Sequence, residues 1–184
     1  MPYPSKVNYE DIVNQAWDLV ESEGFEQLSL AHLAESLGVR ASSLYRYVKN
    51  KAELVQAVNE QTHHKLFTAL NAVPVHDDAL THIMGIAQAY RAFAHAHPTT
   101  YTLSFVTVEP EQRPAADMQE RDVLPLQGVM ARLCGEDNSL TALRGLFALI
   151  HGFAMLEIHD QLRRGGDLDD VFHQVLEVYL RGWQ

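Results

Sequence analysis

Apolar positions recur three and four residues apart along most of the chain, the spacing of helices that bury one face. Ile12, Val13, Ala16, Trp17, Leu19 and Val20 predict a first helix from Tyr9 to Glu23, stopped by Gly24, with Phe25 and Leu28 packing under the turn. Ser29 is a good N-cap for a second helix, along which Leu30, Leu33, Ala34 and Leu37 share one face. Gly38 supplies the positive φ of a sharp stop, and Val39 plugs the turn. A third helix is expected from about Ala41 to Tyr47, with Leu44 and Val48 facing the core. Helix, glycine-containing turn and helix is the helix-turn-helix pattern, whose second helix enters the major groove of DNA.

The periodicity continues beyond it. Asn50 is a plausible N-cap with Glu53 three residues on, a capping-box arrangement, for a helix running to about Leu70 with Leu54, Val55, Val58, Leu66 and Phe67 apolar. Residues 71–77, with Pro74, break the pattern. Residues 78–97 form another helix ended by Pro98. Residues 101–108 are apolar and β-branched and read in isolation as a strand; with no partner strand visible, a short helix or irregular turn is preferred. A helix follows from about Ala116 to Leu133, with a kink expected near Pro125, and 135–139 read as a loop. In the next helix Leu143, Leu146, Ile150 and Ala154 make one stripe, yet Leu149, Gly152, Phe153 and Leu156 make the opposite side apolar too. A helix apolar all round is covered on both sides. The simplest second cover is another subunit, with Gly145 and Gly152 permitting close approach. Gly165 and Gly166 end this helix, and a last one starts at Leu168. The fold class is all-α, with about nine helices.

Charge sharpens the first third. Arg40, Arg46, Lys49 and Lys51 fall in a stretch free of Asp and Glu, in a chain of 184 residues and formal net charge −10. Ser42, Ser43, Tyr45 and Tyr47 are interleaved with them. Cations, short hydroxyls and phenols are what phosphate and base-edge contacts require. The acidic balance argues against general polyanion binding, so contact with nucleic acid must be local. The single Cys134 excludes an intramolecular disulfide framework and a multi-cysteine zinc site. No apolar run reaches bilayer length and the first eight residues are too short for a signal peptide, so a soluble cytoplasmic protein is expected. Residues 1–8, with Lys6 as the one cation before Arg40, read as a loose arm.

The order of residues is more specific than the charge. Gly24-Phe25, Leu28-Ser29-Leu30, Leu33-Ala34, Leu37-Gly38-Val39, Leu44-Tyr45-Arg46-Tyr47-Val48 and Lys51-x-x-Leu54 resemble the DNA-binding domain of TetR-family transcriptional regulators over residues 9–55. The resemblance implies an N-terminal helix-turn-helix domain over 1–50 and a C-terminal effector-binding and dimerisation domain over 51–184. It implies base or phosphate contact from Arg40, Ser42, Ser43 and Tyr45, with Tyr47 and Lys51 on the DNA backbone. Ala31 and His32 stand where relatives often carry arginine, and simple exposure of His32 is preferred to DNA contact. Phe147, His151-Gly152-Phe153 and the terminal Arg181-Gly182-Trp183 are similar to the C-terminal domain of a subgroup with a Trp-x-x-x-His-Gly-type signature, Phe147 standing at the tryptophan position. The implied dimer interface comprises Leu149, Gly152, Phe153 and Leu156 with Phe172, Leu176 and Leu180.

Tyr90, Phe93, His97, Tyr101 and Phe105, with Met118, Phe147, His151 and Met155, have the composition of an apolar ligand pocket with a few polar tips, although such residues at helical spacing more often fill a core. Family resemblance favours a small apolar effector bound there. The expected partners are therefore a double-stranded DNA operator, an unknown effector and a second copy of the chain, with no membrane. Repression released by effector is the expected mode. A helical-bundle metalloprotein and a TetR-like protein acting only through protein partners are the alternatives. Glu60 and His63, and Asp170 and His173, have the spacing of helical di-iron ligands, but the further carboxylates are missing. His95 and His97 diverge on a helix. No zinc-protease, serine-nucleophile or phosphate-loop motif appears, so neither metal, cofactor nor catalysis is expected.

Overall fold

The computed structural model describes residues 7–106 and 109–184, with the backbone alone for Gln119. Among these the chain forms nine α-helices and no strand: α1 Tyr9–Glu23, α2 Leu30–Ser36, α3 Ala41–Leu44, α4 Lys51–Asn71, α5 Ala79–Ala96, α6 Pro98–Val106, α7 Ala116–Cys134, α8 Glu136–Ile158 and α9 Leu168–Arg181. Short 3₁₀ turns occupy Phe25–Gln27 and Pro110–Gln112. The strand-like 101–108 stretch is helical as far as Val106; its last two residues, and the arm over 1–6, lie outside the described residues. Pro98 does more than end α5. It opens α6, where a missing amide costs nothing because first-turn amides have no intrahelical acceptor. The loop expected over 135–139 shrinks to Gly135 at φ +79°, and α8 starts at once with Glu136 and Asp137, acids that favour the positive end of a helix.

The helices group into two units. The first comprises the described residues to 65 together with His97–Ala115; the second comprises Leu66–Ala96 and 116–184. This grouping does not coincide with a division at residue 50, because α6 belongs with the helix-turn-helix and α4 contributes to both units.

In the first unit, α1 starts on a capping box in which the Asn8 side chain accepts from the Asp11 amide and Asp11 accepts from the Asn8 amide. It ends at Gly24, φ +92°. Ile12, Ala16, Leu19 and Val20 pack with Leu28, Leu33, Ala34, Leu44, Val48, Leu54 and Val58 into one core, which Leu103 of α6 joins. The buried Trp17 indole donates to Thr62 Oγ1 at 3.0 Å, and that hydroxyl donates to the Val58 carbonyl at 2.9 Å.

In the second unit, α7 and α8 form the most closely packed pair, with α5 against both and α9 against α5 and α8. Arg91 of α5 ties three helices together. Its Nε donates to Glu157 Oε2 of α8 at 2.7 Å, its Nη2 to Glu157 Oε1, and its Nη1 to Asp169 Oδ1 of α9 at 2.7 Å. The guanidinium lies 4.9 Å from the Phe172 ring centroid and 5.6 Å from that of Phe153. Burial alone would raise the Glu157 pKa, but hydrogen bonds from Arg91 and His95 outweigh it and hold the carboxyl below its ordinary value.

Two expectations for the dimer face are corrected here. Phe172, Leu176 and Leu180 are buried inside the subunit, at 1, 0 and 0 % exposure, because α9 turns that stripe onto α5 and α8. The apolar positions α9 leaves exposed are Val171, Val175 and Val178. Gly145 serves its own chain: a Cβ there would lie 2.1 Å from Tyr179 Oη, which donates to the Ala142 carbonyl. Gly152 faces open space, Leu149 is half-buried and Leu156 is exposed, whereas the Phe153 ring packs on Phe172 at 5.0 Å. Contrary to the expectation from apolar runs, α8 is long and apolar enough by overall length and composition to cross a membrane, although its run free of Asp, Glu, Lys and Arg, between Arg144 and Glu157, covers only residues 145–156. Its inner stripe of Leu143, Leu146, Ile150 and Ala154 is spent on the core of this unit.

Burial pushes the imidazoles of His82 and His151 below their ordinary value, and Arg132 and His76 reinforce the effect at His82, whose buried Nδ1 has no hydrogen-bond partner among the described residues. The folded state therefore resists protons that the unfolded chain accepts. The contribution is complete above the ordinary histidine value of 6.5 and is lost as pH falls through the depressed values. The melting temperature should drop on going from about pH 7.5 to about pH 5, and His82→Gln should flatten that drop. A melting temperature indifferent to pH over this interval would contradict the assignment.

Candidate nucleic-acid interface

The reading head is built from its caps. Ser29 Oγ accepts the His32 amide at 3.1 Å and opens α2. After Ser36 the chain turns through Gly38 at φ +65°, with Gly38 N–H donating to Glu35 O at 3.0 Å and Val39 N–H to Ala34 O at 2.9 Å. Arg40, in extended conformation, is the N-cap of α3, and its carbonyl accepts the Ser43 amide at 2.8 Å. The α-helix of the recognition segment is shorter than expected. It ends at Leu44, and the Tyr47 and Val48 amides both converge on the Leu44 carbonyl, at 2.8 and 3.0 Å, closing 45–47 into a tight turn. Leu44 and Val48 are buried as expected, at 1 % each. Arg40, Ser42, Tyr45, Arg46, Tyr47, Lys49 and Lys51 are exposed, and Ser43 is half-buried.

Several of these side chains have partners that spacing could not show. Tyr47 Oη donates to the Val7 carbonyl at 2.9 Å, so this phenol fixes the root of the N-terminal segment and offers DNA only its remaining lone pair and ring edge. The Arg46 guanidinium lies 5.6 Å from the Tyr47 ring centroid, and Lys51 Nζ lies 4.5 Å from that of Phe25. Asn50 Oδ1 accepts the Glu53 amide at 2.9 Å, but the Glu53 carboxylate reaches the Lys49 amide at 2.8 Å rather than that of Asn50. The same carboxylate pairs with Lys49 Nζ at 3.3 Å, and the backbone bond from Lys49 is the main cause holding its pKa below the ordinary value. Lys49 is thus compensated within the chain. His32 is occupied too, with Nδ1 at 3.2 Å from Gln27 O and Nε2 at 3.5 Å from Glu23.

The expected ligand-pocket residues divide between the units. Tyr90, Phe93, Met118, Phe147, His151 and Met155 lie in the second, where the rings of Tyr90 and Phe147 meet at 5.9 Å. His97, Tyr101 and Phe105 lie in the first: His97 meets the Trp17 ring edge-on at 4.9 Å, Tyr101 is fully buried, and Phe105 packs on Tyr101. The second unit also carries an open groove of about 490 Å³ lined by Gln88, Arg91, Ala92, His95, Asp169 and Phe172. Its charges are mutually paired, and the sequence pattern gave no sign of it.

The family model described as bacterial regulatory proteins, tetR family, matches residues 12–58, which hold this reading head; the model described as tetracyclin repressor-like, C-terminal domain, matches residues 83–179. The chain belongs to the TetR family. An uncharacterised HTH-type transcriptional regulator of Mycobacterium tuberculosis is 31 % identical over 176 residues, covering 91 % of this chain and 75 % of that protein. The Bacillus subtilis HTH-type regulator YobS, likewise uncharacterised, is 26 % identical over 175 residues, covering 93 % of this chain and 90 % of its own. Among solved structures, a Rhodococcus protein of unknown function matches the fold with a TM-score of 0.82 at 21 % identity, covering 100 % of this chain and 98 % of that one. A TetR variant from Acinetobacter baumannii in complex with minocycline matches with a TM-score of 0.69 at 20 % identity, covering 96 % of each. This TetR-family chain is a DNA-binding transcriptional regulator with an N-terminal helix-turn-helix and a helical C-terminal domain.

Proposed function

We propose that this TetR-family regulator is a homodimeric repressor whose two reading heads occupy successive major grooves of a near-palindromic operator, and that a small apolar effector bound in the second unit releases it. The observation that carries the DNA side is the partition of the recognition segment: Leu44 and Val48 are buried, while Arg40, Ser42, Tyr45, Arg46 and Lys51 stand in solvent. Arg40, Ser42, Ser43 and Tyr45 are assigned to bases and nearby phosphates, and Lys51 to the backbone. Tyr47 keeps an indirect role through Val7. Arg46, outside the contact set that the resemblance implies, joins it because its side chain is exposed beside them.

For the effector, the supporting residues are Tyr90, Phe147, His151 and Met155, an apolar group with one polar imidazole, in the domain whose signature Phe147 and His151-Gly152 resemble. The Acinetobacter protein, similar in fold, is complexed with minocycline, which supports a small-molecule effector for this chain as well. The dimer is assigned to Leu149, Gly152 and Leu156 of α8 with Val171, Val175 and Val178 of α9. Effector release is then a population shift set by its differential affinity for two dimer conformations.

The DNA assignment has a quantitative test. Each phosphate neutralised contributes about 0.9 to the slope of log affinity against log salt. Lys51→Ala should weaken a selected duplex and a scrambled one alike and lower the slope by about 1, whereas Arg40→Ala should also lower the preference between them. Unchanged affinity and slope in both variants would remove these residues from the interface.

A further inference from the structure

Glu21 sits on the last turn of α1, and its carboxylate closes the N-terminus of α6. Oε1 accepts the Thr99 amide at 3.2 Å, while Oε2 accepts the Thr100 amide at 3.0 Å and the Thr100 hydroxyl at 2.6 Å. The Glu21 carbonyl also accepts Thr99 Oγ1 at 3.4 Å. A helix leaves its first amides without internal acceptors and carries partial positive charge at that end, so a carboxylate is held there by charge as well as by hydrogen bonds. Thr100 is fully buried. Two further contacts reinforce the joint: Trp17 of α1 against His97, and Leu103 within the core of the reading head. His97 alone separates α6 from α5 in the chain.

The place of Glu21 makes this more than a local cap. Three residues on, the chain turns at Gly24 and passes through Phe25–Gln27 into α2, so the carboxylate stands at the root of the α1–α2 corner. Phe25 in that corner lies under Lys51. We propose that Glu21 is a positioning residue for DNA binding, latching α6 to α1 so that the corner, and the recognition segment packed on it, keep one orientation. This rests on the DNA-reading function above. Without the latch, the buried Thr100 amide and hydroxyl lose their acceptor, and α6 no longer braces the corner.

The test combines native-state hydrogen exchange with duplex affinity, well below the melting temperature, for Glu21→Ala, Glu21→Gln, Thr100→Val and the Glu21→Ala/Thr100→Val pair. Glu21→Ala should speed exchange about tenfold both at Thr99–Leu103 and at the Ser43, Tyr47 and Val48 amides, and weaken a selected duplex about tenfold. The salt slope should stay unchanged, since no phosphate contact is removed. Glu21→Gln, which keeps one carbonyl acceptor and the fold, should fall between. Thr100→Val should add little to Glu21→Ala, because both act through one hydrogen-bond network. Faster exchange confined to Thr99–Tyr101 with unchanged duplex affinity would overturn the proposal. If the unsubstituted protein selected no duplex at all, the DNA-reading function would fall, and exchange at Ser43, Tyr47 and Val48 would by itself decide whether the latch holds the reading head.

Discussion

Glu157→Ala should cost the protein about 2–3 kcal/mol of unfolding free energy, short of the range for a fully buried ion pair because Arg91 also lines an open groove. The Glu157 side chain is only 5 % exposed and that of Arg91 only 16 %. The substitution strands a guanidinium, charged at every accessible pH, against the Phe153 and Phe172 rings with one exposed partner left in Asp169. The control is Asp169→Asn: that carboxylate is 84 % exposed, and its bond to the same arginine should be worth under about 1 kcal/mol. Replacing both buried partners, Arg91→Met with Glu157→Leu, should recover much of the loss because no unpaired charge remains. Urea unfolding of the four proteins reads all three expectations. A loss below about 1 kcal/mol for Glu157→Ala would mean that water reaches the site and the pair is effectively superficial.

The second large effect concerns association. Val175 and Val178 are 40 % and 74 % exposed on α9, apolar positions for which the isolated subunit offers incomplete cover. Val175→Asp with Val178→Asp should weaken dimerisation by about 100-fold or more, since each carboxylate must lose its water when the faces meet. The melting temperature measured at concentrations where both proteins are monomeric should hardly change, because neither side chain is in the core. Phe172→Asp is the informative contrast. It should destroy the subunit itself, since that ring is 1 % exposed and packs on Phe153 and Arg91. Sedimentation at several concentrations separates the two outcomes, and a dimer unaffected by both valine changes would place the interface elsewhere.

Much of the fold was legible because it is written in local signals. Ser29 and Asn50 as N-caps, Gly24 and Gly38 at positive φ, and the stripe from Ile12 to Val20 each act within a turn or two of the chain, and α1, α2 and α4 start where those signals stand. What escaped is what depends on distant partners. Period alone cannot say which of two apolar stripes on α9 meets its own subunit; Phe172, Leu176 and Leu180 and the neighbouring valines look alike in sequence, and only packing on α5 and α8 separates them. Gly145 reads as room for a second subunit, whereas Tyr179, 34 positions on, fills the space above it. In the reading head, exposure of Arg40, Ser42 and Tyr45 follows from the positions of Leu44 and Val48, but the bond from Tyr47 to Val7 spans 40 residues and leaves no local trace. Glu21 reads as one more acid on a polar face until α6, 78 residues later, arrives on it. The α6 segment is short and apolar enough to mimic a strand, so neither its helicity nor its membership of the reading-head unit could be seen from periodicity.

The most direct measurement is selection of duplexes from a random pool by the purified full-length protein, followed by anisotropy on the enriched sequence at several salt concentrations. A dimeric helix-turn-helix reader should enrich an inverted repeat with half-sites one helical turn apart, about 10–10.5 base pairs centre to centre, or a multiple of it. Its affinity should fall linearly in log salt, and Arg40→Ala should relax the preference within each half-site. A pool that stays unenriched, or one that yields no two-fold repeat and binds the Arg40→Ala variant equally well, would contradict DNA reading by this surface.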